Sequence, residues 1–353
     1  MVSRFQELGL VGVIVLLMAV LTFSGGSTER RFRDPFTGRE YVVIKNKFLN
    51  ADRLLTVAKN TSFFAIMAIG ATVVIVTGGI DLSVAGIYVV SGLAGAAFLH
   101  HCGPDGPWSG TSPWVVVPVT AAICLGTGTL CGALNGAGVN LLGLHPFLVT
   151  LGTMGIFRGL AFVTTRAQSI GRFDPSFVDG FIGRRIPLGG GESISPVPLV
   201  ILLVVLGAGT WFLARTVAGC RLRAVGGNET AARYAGLDIA RLKGLAYALC
   251  GLTAGIAAMI NIGYHGSAAS SDGAGYELEV IAAAVVGGAS LSGGRGSALG
   301  AVLGALIIRL IVEGIVILDL DQNYSQMIVG AVIVAAASLD RWQTNLRKRM
   351  ATA

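Results

Sequence analysis

The feature that most constrains this chain is a succession of apolar runs separated by polar punctuation. They lie near residues 8–23, 62–77, 84–100, 114–136, 146–165, 197–213, 244–264, 279–291, 298–317 and 324–339. A bilayer core of about 30 Å is crossed by about 20 apolar residues in a helix, and within it each backbone polar group must be satisfied inside the protein. The runs therefore predict an all-α polytopic membrane protein of about ten transmembrane helices. Several runs are short, which predicts broken, tilted or re-entrant helices. The first run makes only about 24 Å of helix, but its flank SGGSTERR has no A-x-A site, so it reads as an uncleaved span.

Composition agrees. The 353 residues are 53% hydrophobic and 13% charged, with a mean hydropathy of +0.73, whereas soluble domains carry about 25% charged residues. The 51 glycines suit helices that pack closely. A net charge of +7 fits Lys and Arg at lipid headgroups. No basic cluster is interleaved with aromatics, so membrane lipid is an expected partner and nucleic acid is not. Cys102, Cys124, Cys131, Cys220 and Cys250 have neither disulfide nor zinc spacing and read as packing residues.

Residues 1–353 read as a single transmembrane domain with polar segments at 24–61, 166–196 and 214–243. Within the first, NKFLNADRLLTVAKN has helical periodicity and predicts an amphipathic helix. Parity puts the first two segments on one side and the third on the other. Basic residues divide evenly between those sides, so charge leaves the orientation open; the basic tail RWQTNLRKRM only leans toward a cytoplasmic C-terminus.

VTGGIDLSVAG and VVGGASLSGGRG share G-G-x-x-L-S at a junction between spans, which predicts an internal repeat. In the first copy Gly78 and Gly79 break the helix, while Asp81 or Ser83 can cap the next one or line a polar pathway. Ser290 and Ser292 hold the matching places. Pro146 suits a helix start after His145, and Thr150 and Thr153 give that helix a faintly polar face that can pack or line a path. Arg158 is expected to snorkel or meet a carbonyl. Arg309 and Glu313, four apart, are expected to pair.

No GxxxxGK[ST], G-x-S-x-G, H-E-x-x-H or metal-ligand spacing occurs, so the chain reads as neither an ATPase nor another enzyme, with no metal site. RAVGGNETAARYAGLDIARLK is a charged, Ala-rich island between apolar runs. Asn228 can cap a short helix over Glu229–Ala235 and Gly236 can stop it. Its small side chains would fit a partner's groove.

These blocks, with HPFLVTLGTMGIFRGLAFVTT and GYELEVIAAAVVGGASLSGGRGSALGAVLGALI, resemble the permease subunits of bacterial monosaccharide ABC importers, the ribose/xylose/arabinose/galactose group, from about Asn46 to Ser338. The resemblance implies a permease paired with a second copy or paralogue. Two cytoplasmic ATPase subunits, or one tandem ATPase, would power it, holding ATP and Mg that this chain does not bind. A periplasmic sugar-binding protein would deliver the substrate. It also implies an inner-membrane protein with both termini cytoplasmic. Glu229, Ala231, Ala232 and Gly236 match the family's E-A-A-like coupling helix, with Asn228 and Arg233 beside them. The candidate hinge or pathway set is Gly78, Gly79, Asp81, Ser83, Thr150, Thr153, Ser290 and Ser292. The segment after the first span is longer and more basic than usual in the family, and His145 replaces an apolar or Pro residue. The rival readings are a proton- or sodium-coupled transporter and a membrane scaffold.

Overall fold

A computed structural model describes residues 2–33, 40–189, 192–336 and 338. Among the described residues, eight helices are long and apolar enough to cross a membrane. They are α1 (Val2–Ser24), α2 (Ala51–Val76), α3 (Val84–Cys102), α4 (Pro113–Leu142), α5 (Pro146–Thr165), α7 (Val197–Arg215), α10 (Ile239–His265) and α12 (Ala298–Ile317). Between them lie the single turn α6 (Pro175–Phe177) and the short α8 (Val217–Gly227) and α9 (Glu229–Tyr234). Two apolar helices fall short of a span: α11 (Tyr276–Val286) and α13 (Tyr324–Ala336). The run expected to end at 339 is thus followed to 336, and the basic tail lies outside the described residues.

Among the described residues, strands form three two-stranded antiparallel pairs: β1 (Ser27–Arg33) with β2 (Glu40–Asn46), β3 (Ile170–Gly171) with β6 (Ser267–Ala268), and β4 (Ile186–Gly189) with β5 (Glu192–Ile194). The expected amphipathic helix is the opening of α2 rather than a separate element. Asn50 caps it by accepting from Arg53 N at 2.9 Å. Phe48 and Val57 are buried, and the helix runs unbroken into the second span.

The core is a glycine seam. Gly128, Gly132 and Gly136 of α4 face Gly244, Gly251 and Gly255 of α10. A Cβ at Gly132 would collide with the Tyr247 carbonyl, and one at Gly251 with that of Gly128. Lipid tails are as apolar as the helices, so close backbone packing takes the place of hydrophobic burial. Around this seam α2 is the most enclosed helix, with Phe63–Val76 buried throughout.

The connections sort into two ends. At one, Asn46 donates to the Thr22 carbonyl, Lys47 pairs with Asp319 at 2.8 Å, and β3 meets β6. At the other, Ser297 donates to Glu7, Asn140 donates to the Ala240 carbonyl, and α8 packs on the turns after α2 and α11.

Candidate functional site

The charged island forms two short helices at the second end. Thr216 caps α8 by accepting from Gly219 N at 3.0 Å. Asn228, extended at φ −160°, ends α8 and opens α9, its side chain accepting from Ala231 N at 2.9 Å. Gly236, left-handed at φ +79°, stops α9, as its place in the sequence suggested. Glu229 accepts from Lys243 Nζ at 2.8 Å and pairs with Arg233 at 3.2 Å. The Lys243 hydrogen bond holds the Glu229 carboxyl below its ordinary value; partial burial opposes it, and the charges of Lys243 and Arg233 add to it.

This geometry divides the six residues expected to meet a partner. Asn228, Glu229 and Gly236 build and anchor α9, and Ala232 is buried beneath it. Ala231 and Arg233 face outward with Thr230. Tyr234, which sequence reasoning passed over, is 89% exposed at the end of the helix.

Behind α9 stand both copies of the repeat. After α2, Gly78 N bonds the Ile75 carbonyl and Gly79 N that of Val74, with Gly78 at φ +81°. After α11, Gly288 N bonds Val285 and Ala289 N bonds Ala284, with Gly288 at φ +95°. Each is a Schellman turn. The first glycine of the motif carries the left-handed residue in one copy and the second glycine in the other, so the structural repeat is shifted by one residue from the sequence match. The two turns touch: Gly294 N donates to the Val76 carbonyl at 2.8 Å. Gly226 of α8 lies between them, where a Cβ would strike both Val76 and Gly294. Arg223 of α8 donates to the Gly296 carbonyl at 3.3 Å.

Asp81 and Ser83 are buried in the first turn. Asp81 Oδ1 accepts from Ser83 N at 2.9 Å and Ser83 Oγ at 2.6 Å, and Asn135 Nδ2 donates to Ser83 Oγ at 2.6 Å. Asp81, rather than Ser83, therefore satisfies the backbone leading into α3. Its Oδ2 is buried with no hydrogen-bond partner among the described residues. Thr150 donates to the Ile80 carbonyl at 3.3 Å and Thr153 to that of Thr150, tying α5 to the same turn. Ser290 is buried in the second turn and Ser292 is exposed. The residues expected to form a hinge or pathway thus gather at the α9 end rather than at mid-depth.

The mid-depth charges are elsewhere. After β6 the chain turns inward, and α11 starts at Tyr276, whose ring lies 4.4 Å from that of Phe64, halfway along α2. Arg158 donates to the Gly273 carbonyl at 2.7 Å, as one of its two expected fates, and pairs with Glu277 at 3.4 Å. Arg309 does not pair with Glu313. It reaches Glu279 at 2.9 Å and lies 4.3 Å over the Phe64 ring, while Glu313 pairs with Arg53 at 3.3 Å and accepts from Asn60. Neighbouring elements bring each charge a better-placed partner than its own helix does. Glu277 and Glu279 carried a signal in the sequence: two acids opening an apolar run. No group of three His, Cys, Asp or Glu suited to a metal stands among the described residues.

Comparison with known proteins fits this architecture. The chain is 36% identical over 294 residues to the ribose import permease protein RbsC of Escherichia coli, covering 83% of this chain and 86% of that one. It is 33% identical over 295 residues to the D-allose transport system permease protein AlsC of the same organism, covering 83% and 85%. With the fructose import permease protein FrcC of Rhizobium meliloti it shares 33% identity over 308 residues, covering 85% and 81%. A family model described as branched-chain amino acid transport system / permease component matches residues 53–337. The eight long apolar helices, the shared turns and this match lead to one conclusion: the chain belongs to that family of transport-system permease components.

Proposed function

We propose that this chain is the transmembrane subunit of an ATP-driven importer that carries a monosaccharide across the bacterial inner membrane by alternating access. A periplasmic binding protein delivers the sugar. Two cytoplasmic ATPase subunits, or one tandem ATPase, grip α9 on each of two permease copies and supply the ATP and Mg. Both termini are cytoplasmic, so the α9 end faces the ATPases and the β1–β2 end faces the binding protein.

The observation that carries this reading is the placement of α9. It is an exposed, capped helix braced by Lys243, and the adjoining α8 wedges Gly226 between the turns that end α2 and α11. Motion imposed on α9 reaches the span α2 and the shorter α11 through the backbone contacts of Gly226. A proton-coupled reading loses its main support, because Arg309 and Glu313 are held by separate partners.

The family description names branched-chain amino acids, whereas the relatives above are ribose, allose and fructose permeases. Uptake of labelled D-ribose, D-allose, D-fructose and L-leucine into proteoliposomes holding the full complex decides the cargo. ATP-dependent uptake of one sugar, abolished when the ATPase is omitted, is the expected result. Uptake of leucine alone, or uptake that persists without the ATPase, would contradict it.

A further inference from the structure

Between β6 and α11 the chain runs non-helically into the bundle, a helix break at which Arg158 and Glu277 meet, and this pair has a property that a purely structural ion pair lacks. Arg158 lies about 18 Å along α5 from Pro146 and about 10 Å from Thr165, well inside the hydrocarbon depth. Yet Arg158 and Glu277 remain 20% and 15% exposed. Around them Gly155, Gly159, Ser271 and Ala274 are also exposed, and added Cβ atoms at Gly155 and Gly159 would meet nothing within 4 Å. Charges at this depth face the bundle interior or water rather than lipid. The open face of α5 also carries exposed Ile156, Leu160 and Val163, so the polar opening is the narrow gap over Arg158 and Glu277 lined by Gly155, Gly159, Ser271 and Ala274, where a hydroxyl or a water can reach the pair.

The bonding of the pair is incomplete in a useful way. Arg158 uses only Nη2 among the described residues, on the Gly273 carbonyl and on Glu277 Oε2. Nε and Nη1 keep their donors, and Glu277 Oε1 keeps its lone pairs. The contact between the two, at 3.4 Å, is long for a charge-assisted bond. Arg309 and Glu279 differ: they meet at 2.9 Å with the guanidinium over Phe64.

We propose that Arg158 and Glu277 form a transient polyol-binding station on the translocation path. One hydroxyl of a passing sugar donates to Glu277 Oε1, and its neighbour accepts from Nη1 or Nε of Arg158. The backbone carbonyl of Gly273 keeps the guanidinium in place as the sugar arrives and leaves. This rests on the monosaccharide-importer reading above and adds to it the residues that touch the cargo.

The test uses the reconstituted complex and whichever of D-ribose, D-allose and D-fructose the wild type transports. Sugar moved per ATP hydrolysed is read for Glu277→Gln and Arg158→Lys. At least a five-fold fall in that ratio is expected, because closure of the ATPases no longer carries a held sugar. A structural defect lowers uptake and hydrolysis together, so a ratio within two-fold of wild type overturns the station. A second measurement does not depend on turnover. In a Cys220→Ser background, which removes the exposed native thiol, Ala274→Cys should react with a charged, membrane-impermeant thiol reagent and be protected by the transported sugar. An unreactive thiol in that variant would show the face to be dry and overturn the proposal. A wild-type complex that moves leucine alone, or moves sugar without the ATPase, overturns the importer reading and this inference with it, whereas an active wild type with unchanged ratios overturns the inference alone.

Discussion

At α9 the charges stand at the surface, with Arg233 71% exposed and Glu229 41%. At the helix break Arg309 and Glu279 are 12% and 19% exposed. Water screens the first pair, and exposed pairs contribute about 0–1 kcal/mol. The second stands in low dielectric, where removing one partner strands the other charge. The difference separates two roles. Charges at α9 can exchange partners at little cost, which suits a surface that another subunit grips. Arg309 and Glu279 cannot be removed singly without stranding the other, which suits a pair that must hold the start of α11 at membrane depth.

The sharpest way to break this contrast is Arg309→Ala. It leaves the largely enclosed Glu279 carboxylate without its cation and is expected to destabilise the protein by about 3 kcal/mol, read as a fall in thermal unfolding midpoint in detergent. A midpoint shift no larger than that of a surface variant would mean that the break is wet throughout. Asn228→Ala removes the α9 cap and should cost about 1 kcal/mol, seen as faster proteolysis between α8 and α10 while the spans stay intact. The smallest effect is expected from pH. Because the Glu229 carboxyl is held below its ordinary value, its contribution is present above the unfolded-state pKa and is lost as pH falls through the folded one. A spin label at Thr230→Cys should thus keep constant mobility from pH 8 to 5 and loosen only below about pH 4. Loosening near neutrality would assign the anchor to another group.

The two regions also differ in how far the sequence disclosed them. α9 was legible because its signals are local: Asn228 ahead of a short Ala-rich run and Gly236 after it give cap and stop without tertiary help. The spans were legible for the same reason, since each apolar run reports its own helix. The break was only half legible. The 279–291 run was visibly short, but nothing local says that α11 begins beside Phe64 in α2, or that Glu279 rather than Glu313 answers Arg309. Those are choices among distant partners, and an i,i+4 spacing records only that a pair is possible. The repeat shows the same limit: the motif marked both turns but missed the one-residue shift in which glycine goes left-handed.

If the outward face of α9 is where the ATPase grips, bulk added there must disable the complex, and Ala231→Trp adds it. Ala231 is exposed and takes part in the cap only through its backbone N–H, so the bulk is added toward the partner and not into the fold. With the assembled complex in proteoliposomes, the account predicts that binding-protein-stimulated ATP hydrolysis and sugar uptake both fall at least ten-fold while the permease inserts and melts as the wild type does. Normal hydrolysis and uptake with tryptophan at that position would contradict it, leaving α9 an ordinary surface loop and the drive to be sought elsewhere on the α9 end.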